Sequence, residues 1–325
     1  MQEFSADAAV NARSLEAVKR HPVITVFGSL NVDYVYQVPA LPAPGETLLA
    51  TNMVALPGGK GGNQALAAAR AGATVHMAGA VGADGLGNIA LAGLLADGVN
   101  TEAVALSNLP TGTASITVDR DGENAIVVFS GANTDASHDQ LTPATITTGG
   151  LLLLQMEIPV GEMAQAIGYA NEASAKIVWN LAPMQPVEIE LLQQVAVLVI
   201  NEVELVQLGL YLDVPSDGDI ATLLSNVAQQ TGNSVVLTLG AEGCLAHHHG
   251  ELIAIPALPV SPIDTVGAGD AFCGAFAAAL DAGESFSTAL RWGCVAGSLT
   301  CLKTGAQTAL PTREEIAAHL SSLPA

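Results

Sequence analysis

Short apolar runs alternate with helix-forming segments along most of this 325-residue chain. Residues 21–29 (HPVITVFGS), 74–81, 151–156, 177–180, 195–200 and 234–239 carry too few polar positions for half-exposed strands. They predict short strands buried on both faces. Helical patterns fall between them at 61–71, 88–95, 161–173, 186–194, 202–208 and 218–230. This order predicts an α/β fold, a doubly wound, mostly parallel sheet with helices on both faces. The last third reads as a hairpin over 243–255 followed by helices over 270–280, 286–302 and 313–320. Two stretches break the rhythm, 32–54 and 113–129, the second turning at Asp121-Gly122. They predict extended segments that form a small antiparallel sheet beside the main one. Residues 1–20 lack the apolar core of a secretion signal and read as an N-terminal extension, with 21–325 as a single domain.

Charge narrows the function. The chain has 31 acidic residues but only 10 Lys and Arg, for a net charge of -21. Neutralising nucleic-acid phosphates needs clustered cations, so a nucleic-acid binder relying on a basic surface is excluded, as is a basic membrane-surface helix. The longest apolar runs fall well short of the ~20 residues of a membrane span. A cytoplasmic protein is expected. Cys244, Cys273, Cys294 and Cys301 lack CxxC spacing and read as buried thiols. His247, His248 and His249 alternate faces in a strand, so they cannot all aim at one ion, and they read as a solvated hairpin edge.

The strongest chemical signal is Asp264-Thr265-Val266-Gly267-Ala268-Gly269-Asp270, followed at once by a helix. Small residues let the N–H groups of Gly267, Ala268 and Gly269 converge at a helix N-terminus, a place that favours an anion. Asp270 stands at the mouth of that hole, where a carboxylate can take a proton from an attacking hydroxyl during phosphoryl transfer. The bland reading is a turn capped by Asp264 or Asp270. A second run, Gly58-Gly59-Lys60-Gly61-Gly62-Asn63-Gln64, is neither a Walker loop nor a GxGxxG. Its Lys60 and Asn63 can hydrogen-bond a polyol, with Gly59 allowing close backbone approach. Asn31 and Asp33, two apart after the first strand, point to one side near the strand's carboxyl end, where open α/β sheets bind ligands. Turn chemistry explains the same residues singly.

Together with Pro44-Gly45-Glu46-Thr47, Gln155-Met156-Glu157, Gly131-Ala132-Asn133, Asn201-Glu202-Val203-Glu204 and Gly305-Ala306-Gln307, these motifs resemble the ribokinase-like (PfkB) family of carbohydrate and nucleoside kinases from about residue 22 to 322. The resemblance implies a doubly wound domain with a β-sheet lid that often forms a homodimer contact. It implies ATP-dependent phosphorylation of D-ribose at its 5-hydroxyl, another sugar or a nucleoside being the alternative substrate and a non-catalytic sugar-binding module a third reading. By position, Asn31, Asp33, Gly59, Lys60, Asn63 and Glu157 match sugar-binding residues and Asp270 the catalytic base. Gly267, Ala268 and Gly269 match the anion hole, and Asn201 with Glu204 the NxxE motif that places Mg²⁺ and phosphate through water, Asn201 counting also among the nucleotide contacts. Read without the family, Asn201 and Glu204 form a helix-capping pattern. Thr238, Gly240, Gly243, Gly269 and Cys294 match nucleotide contacts, Cys294 standing where relatives often have His or Asn. Asp264, Val266, Thr300, Lys303 and Gly305 match a monovalent-cation site for K⁺, from which alanine at position 309, in place of a common serine, removes one oxygen. With Lys176 the only base between Arg120 and Arg291, the triphosphate is expected to rest on backbone amides and Mg²⁺, with Lys303 the nearest cation.

Overall fold

In the computed structural model, which describes residues 23–215 and 218–323, the large sheet contains nine strands. They are β1 (Ile24–Phe27), β4 (Val75–Gly82), β5 (Asn100–Ser107), β8 (Leu151–Leu154), β9 (Lys176–Asn180), β10 (Val197–Asn201), β11 (Ser234–Thr238), β12 (Cys244–His248) and β13 (Glu251–Ile255). The spatial order is β13-β12-β11-β10-β9-β8-β1-β4-β5, parallel except for β12 and β13. A separate sheet has the order β3-β2-β6-β7, with β2 at Asn31–Gln37, β3 at Asn52–Gly58, β6 at Gly112–Val118 and β7 at Asn124–Phe129.

The unbroken apolar runs are explained by two cores. Leu151 and Leu153 of β8 point into one and Leu152 and Leu154 into the other; Val197 and Val199 of β10 oppose Leu198 and Ile200 in the same way. The first core is closed by α1 (Lys60–Arg70), α2 (Gly85–Ala96), α7 (Ala268–Asp281), α8 (Phe286–Thr300) and α9 (Arg313–His319). The second is closed by α3 (Val160–Glu172), the single turn α4 (Ile189–Leu192), α5 (Glu202–Tyr211) and α6 (Ile220–Thr231). Side chains alternating across a strand need apolar character at every position when both faces are covered.

Three expectations change. The segment β5 adds a parallel edge strand that the sequence pattern leaves unassigned; its half-exposed Asn100-Thr101-Glu102 start hides the strand signal. The small sheet is mixed, since β2 pairs in parallel with β6, although its other pairings are antiparallel. The β6–β7 turn is the one expected: Gly122 has φ +87°, and Asp119 Oδ1 accepts from the N–H of Asp121 and Glu123. His247 and His248 are on β12, an interior strand, with His247 buried and His248 stacked on Phe286 at 3.8 Å, while His249 is exposed in the turn that follows. The first two pack, and only the third fits a solvated edge. The expected extension over residues 1–20 lies outside the described residues.

Helix α7 crosses α1 at very short range. A Cβ on Gly274 meets the Ala67 Cβ at 2.5 Å and the Ala68 nitrogen and Gln64 oxygen at 2.7 Å. Only glycine fits there, and the crossing sets how far the first turn of α7 stands from α1. Gly274→Val forces the helices apart, and overpacking of this kind costs about 1–3 kcal/mol. Urea denaturation should show that loss together with a fall in turnover, and unchanged stability would contradict the packing described.

Candidate active site

Consecutive parallel strands end in polar residues at one rim of the sheet. Ser29 and Asn31 follow β1, Gln155 and Glu157 follow β8, Asn180 and Asn201 close β9 and β10, and Thr238 closes β11. The chain leaves β1 toward β4 on one side and β8 on the other, so a crevice opens at this rim.

The sugar-side residues expected from the sequence meet here. Asn31 is buried, and its Oδ1 accepts from Asn133 Nδ2 at 2.7 Å. Asn133 Oδ1 in turn accepts from the Leu30 N–H at 2.8 Å. Glu157 Oε2 accepts from Ser29 Oγ at 2.5 Å and from the Lys60 N–H at 3.0 Å. Gly59 precedes α1 with φ +84°, and a Cβ there stands 2.8 Å from the Asn31 nitrogen. That close approach joins the GGKGGN turn to the end of β1. Asn31, Asn133 and Glu157 border a cavity of about 360 Å³.

Asp270, in the first turn of α7, is 6% exposed. Each oxygen takes one amide donor from α1: Asn63 Nδ2 to Oδ2 at 3.0 Å and Gln64 Nε2 to Oδ1 at 2.9 Å. Gly267 caps the helix with φ +79°. The Ala268 N–H is spent on the Thr265 carbonyl at 3.3 Å, whereas those of Gly267, Gly269 and Asp270 have no acceptor among the described residues. Of the expected trio Gly267, Ala268 and Gly269, two amides are therefore left without an acceptor among the described residues, and the Asp270 amide joins them. Space around Gly269 is open, since a Cβ there meets nothing within 4 Å.

A cavity of about 140 Å³ beside Asp270 is lined by Lys60, Asn201, Glu204, Thr238, Gly267 and Gly269. Thr238 and Gly269 also line a neighbouring cavity of about 300 Å³ with Gly240, Gly243, Phe272 and Cys294. All the expected nucleotide positions thus border two contiguous spaces. Lys60 sits with the NxxE residues and the helix N-terminus, and its ammonium is held charged above its ordinary range by Asp270, against the opposing effect of burial. Lys303 pairs instead with Glu315 at 3.4 Å on the surface and borders none of these cavities. Of these two lysines, Lys60 is the one that lines a cavity of the site.

The two readings of Asn201 and Glu204 coexist. The capping box is present, with Glu204 N–H to Asn201 Oδ1 at 2.9 Å and Asn201 N–H to Glu204 Oε2 at 2.8 Å. Only Oε2 is engaged among the described residues, and burial raises the Glu204 pKa. A buried carboxylate with a spare oxygen fits a hard cation that keeps its own waters. At the proposed monovalent site, both Asp264 oxygens close the loop, Oδ1 on the Val266 N–H at 3.0 Å and Oδ2 on the Gly305 N–H at 2.8 Å. Thr300 Oγ1 donates to the Ala296 carbonyl at 2.9 Å, and Ala309 is buried. Among the described residues no His, Cys, Asp and Glu cluster of metal-site geometry occurs, and all four cysteines are free, Cys244 and Cys294 lying 3.5 Å apart.

Sequence reading left Ser29, Gln64, Asn133, Gln155 and Asn180 without roles, although Gln64, Asn133 and Gln155 stand in motifs it singled out. A buried polar side chain among apolar residues is the available signal, because such a group must find a partner.

Asp33 is raised from 3.8 to about 7, first by burial and then by the charges of Glu157 and Asp270. The folded chain thus holds a proton that the unfolded chain releases between about pH 4 and pH 7, so stability falls as pH rises through that window. In the ligand-free protein, Asp33→Asn should raise Tm at about pH 8 and change it little near pH 4. An equal effect at both would contradict the burial described.

A family model described as pfkB family carbohydrate kinase matches residues 22–313. The chain is 37% identical over 296 residues to the ribokinase of Haemophilus influenzae, covering 90% of this chain and 96% of that one. It is 36% identical over 306 residues to the ribokinase of Bacillus subtilis, covering 92% and 99%. The crystal structure of Thermotoga maritima ribokinase superimposes with a TM-score of 0.86 at 31% identity, over 92% of this chain and 99% of that one. Arabidopsis thaliana ribokinase, solved with ribose and ATP, does so with 0.82 at 31% identity, over 92% and 98%. These matches span the crevice, the small sheet and the Asp270 helix together, and the chain belongs to the pfkB family of carbohydrate kinases.

Proposed function

We propose that the chain is a ribokinase, transferring the γ-phosphoryl group of ATP to the 5-hydroxyl of D-ribose. The observation that carries this reading is the place of Asp270. Its carboxylate stands between the polar sugar-side residues and the free amides that face the nucleotide-side cavities. Asn31, Asp33, Gly59, Asn63 and Glu157 orient the sugar by hydrogen bonds that a bulky aglycone would forfeit, which favours a free pentose. Asp270 takes the hydroxyl proton as the oxygen attacks. The amides of Gly267, Gly269 and Asp270 and the Lys60 ammonium stabilise charge on the transferring group, so most of the catalysis is positioning and electrostatics.

Thr238, Gly240, Gly243 and Cys294 hold the nucleotide. Mg²⁺ bound with ATP supplies charge neutralisation at the phosphates, and Asn201 and Glu204 are the residues to hold it through water. Asp264, Val266, Thr300 and Gly305 form the loops for a K⁺ activator. The reading takes 21–325 as one kinase unit working in the cytoplasm; no helix among the described residues is long and apolar enough to cross a membrane. It also takes the small sheet as the contact of a homodimer. Ile126, Val127, Val128 and Phe129 of β7 are all at least half exposed, an apolar strip of the kind that marks an interface.

Asp270→Asn should retain ribose binding by calorimetry and lose about 10²- to 10⁴-fold in kcat, the range general base catalysis supplies. Near-wild-type turnover in that variant would sink the assignment. A phosphorylation screen over ribose, deoxyribose, fructose, adenosine and inosine should put ribose first. For the assembly, the double variant Val127→Glu, Phe129→Glu should sediment as a monomer where the parent sediments as a dimer, and a variant that stays dimeric would remove the small sheet from the interface.

A further inference from the structure

Gln64 lies on α1 with no exposed surface, and the phosphoryl transfer described above gives it no substrate to touch. Both protons of its amide and one lone pair of its oxygen are nevertheless used. Nε2 donates to Asp270 Oδ1 at 2.9 Å and to Asn180 Oδ1 at 3.0 Å, while Oε1 accepts from Gln155 Nε2 at 2.8 Å. A side-chain amide can present either end to a neighbour, and with its oxygen toward Asp270 it would repel the carboxylate.

What prevents that rotation is a chain of partners ending on the main chain. Asn180 Nδ2 donates to the Val199 carbonyl of β10 at 3.0 Å. A carbonyl only accepts, so it fixes the Asn180 amide with Oδ1 toward Gln64. That oxygen also only accepts, so it demands the Nε2 end of Gln64. Gln155 supplies the matching donor on the other side, and it has room because Gly28 lacks a side chain where a Cβ would strike Gln155 Oε1. The direction of the network is thus set by a sheet carbonyl and passed through two side chains to the carboxylate.

We propose that Gln64 is a positioning residue for Asp270, with Asn180 and Gln155 as the partners that fix its direction. The proposal rests on Asp270 being the base. Asn63 holds one carboxylate oxygen and Gln64 the other, so the plane of the group is pinned at two points. Removing one leaves the carboxylate free to turn about the other, and it loses a donor that favours the anion. Other charges about Asp270 are Lys60 on α1, Asp33 on β2, Glu157 after β8 and Glu204 on α5, with the Cys273 thiol on its own helix. None of them occupies the position of the Gln64 amide.

The test compares Gln64→Met, similar in size without the donor, and Gln64→Glu, similar in shape with an added carboxyl, in steady-state assays across pH with ribose and Mg-ATP. Gln64→Met should lower kcat about 10- to 100-fold, as a misplaced catalytic group does, with both KM values within about threefold of the parent. Gln64→Glu should move the acid limb of the kcat profile to higher pH by about one unit or more, because a like charge beside a carboxylate disfavours its ionisation. Ribose calorimetry and Tm report folding. If Gln64→Glu does not fold, the kcat-against-KM split in Gln64→Met decides. Parental kcat and acid limb in the variants, while Asp270→Asn is inactive, would overturn the proposal and leave the base assignment standing. Parallel loss of ribose binding, Tm and kcat in Gln64→Met would make Gln64 a core-packing residue and also overturn it. An active Asp270→Asn would instead remove the reading on which it rests.

Discussion

The rest of the site depends on the close crossing of α1 and α7. Asp270 is one turn before Gly274, and Asn63 and Gln64 are about one turn before Ala67 and Ala68, which Gly274 abuts. The contact that removes a side chain from the helix interface is therefore the one that brings the carboxylate to its two amide donors. α1 also begins at the glycine turn against the end of β1, so a single helix joins the sugar-side turn to the Asp270 carboxylate. Alanine and glycine dominate both helices because short interaxial distances exclude larger groups, and the low cost of alanine in a helix allows the pattern to run on.

Charge follows from the same arrangement. A chain of net charge -21 that handles a polyphosphate has to meet it locally, since fields between exposed charges are screened beyond about 8 Å at physiological salt. Three main-chain amides without acceptors among the described residues, at the N-terminus of α7, and the half-buried Lys60 ammonium are placed to supply that local field. Lys60 remains protonated because Asp270 stands beside it; without such partners, burial would favour the neutral amine. The acidic residues near the crevice thus help to keep Lys60, a cation of its lining, charged. Asp33 shows the converse, as burial next to two carboxylates pushes it toward the protonated form.

Much of this was legible in the sequence. Runs such as Leu151–Leu154 have one reading once both faces of a strand are covered, and the DTVGAGD and GGKGGNQ runs mark helix starts by their glycines. The less legible features depend on groups far apart in the chain. The parallel pairing of β2 with β6 joins segments some eighty residues apart, and no local pattern states strand direction. The Ala268 amide is engaged by a turn bond whose acceptor is three residues back. Lys303 is drawn away by Glu315, which only the packing of α9 brings near. The Gln64 amide beside Asp270 stands in a motif, yet its direction comes through Asn180 from the Val199 carbonyl, a main-chain group with no sequence signature.

The central claim is that Asp270, held by the α1 amides at the helix N-terminus, faces the reacting hydroxyl. A crystal structure with ribose and a non-hydrolysable ATP analogue tests it most directly. The account predicts the 5-hydroxyl oxygen about 2.6–3.2 Å from an Asp270 oxygen, with the γ-phosphate on the Gly267 and Gly269 amides. Ribose bound in the crevice with its 5-hydroxyl turned toward another side chain, or the terminal phosphate seated away from the start of α7, would contradict it.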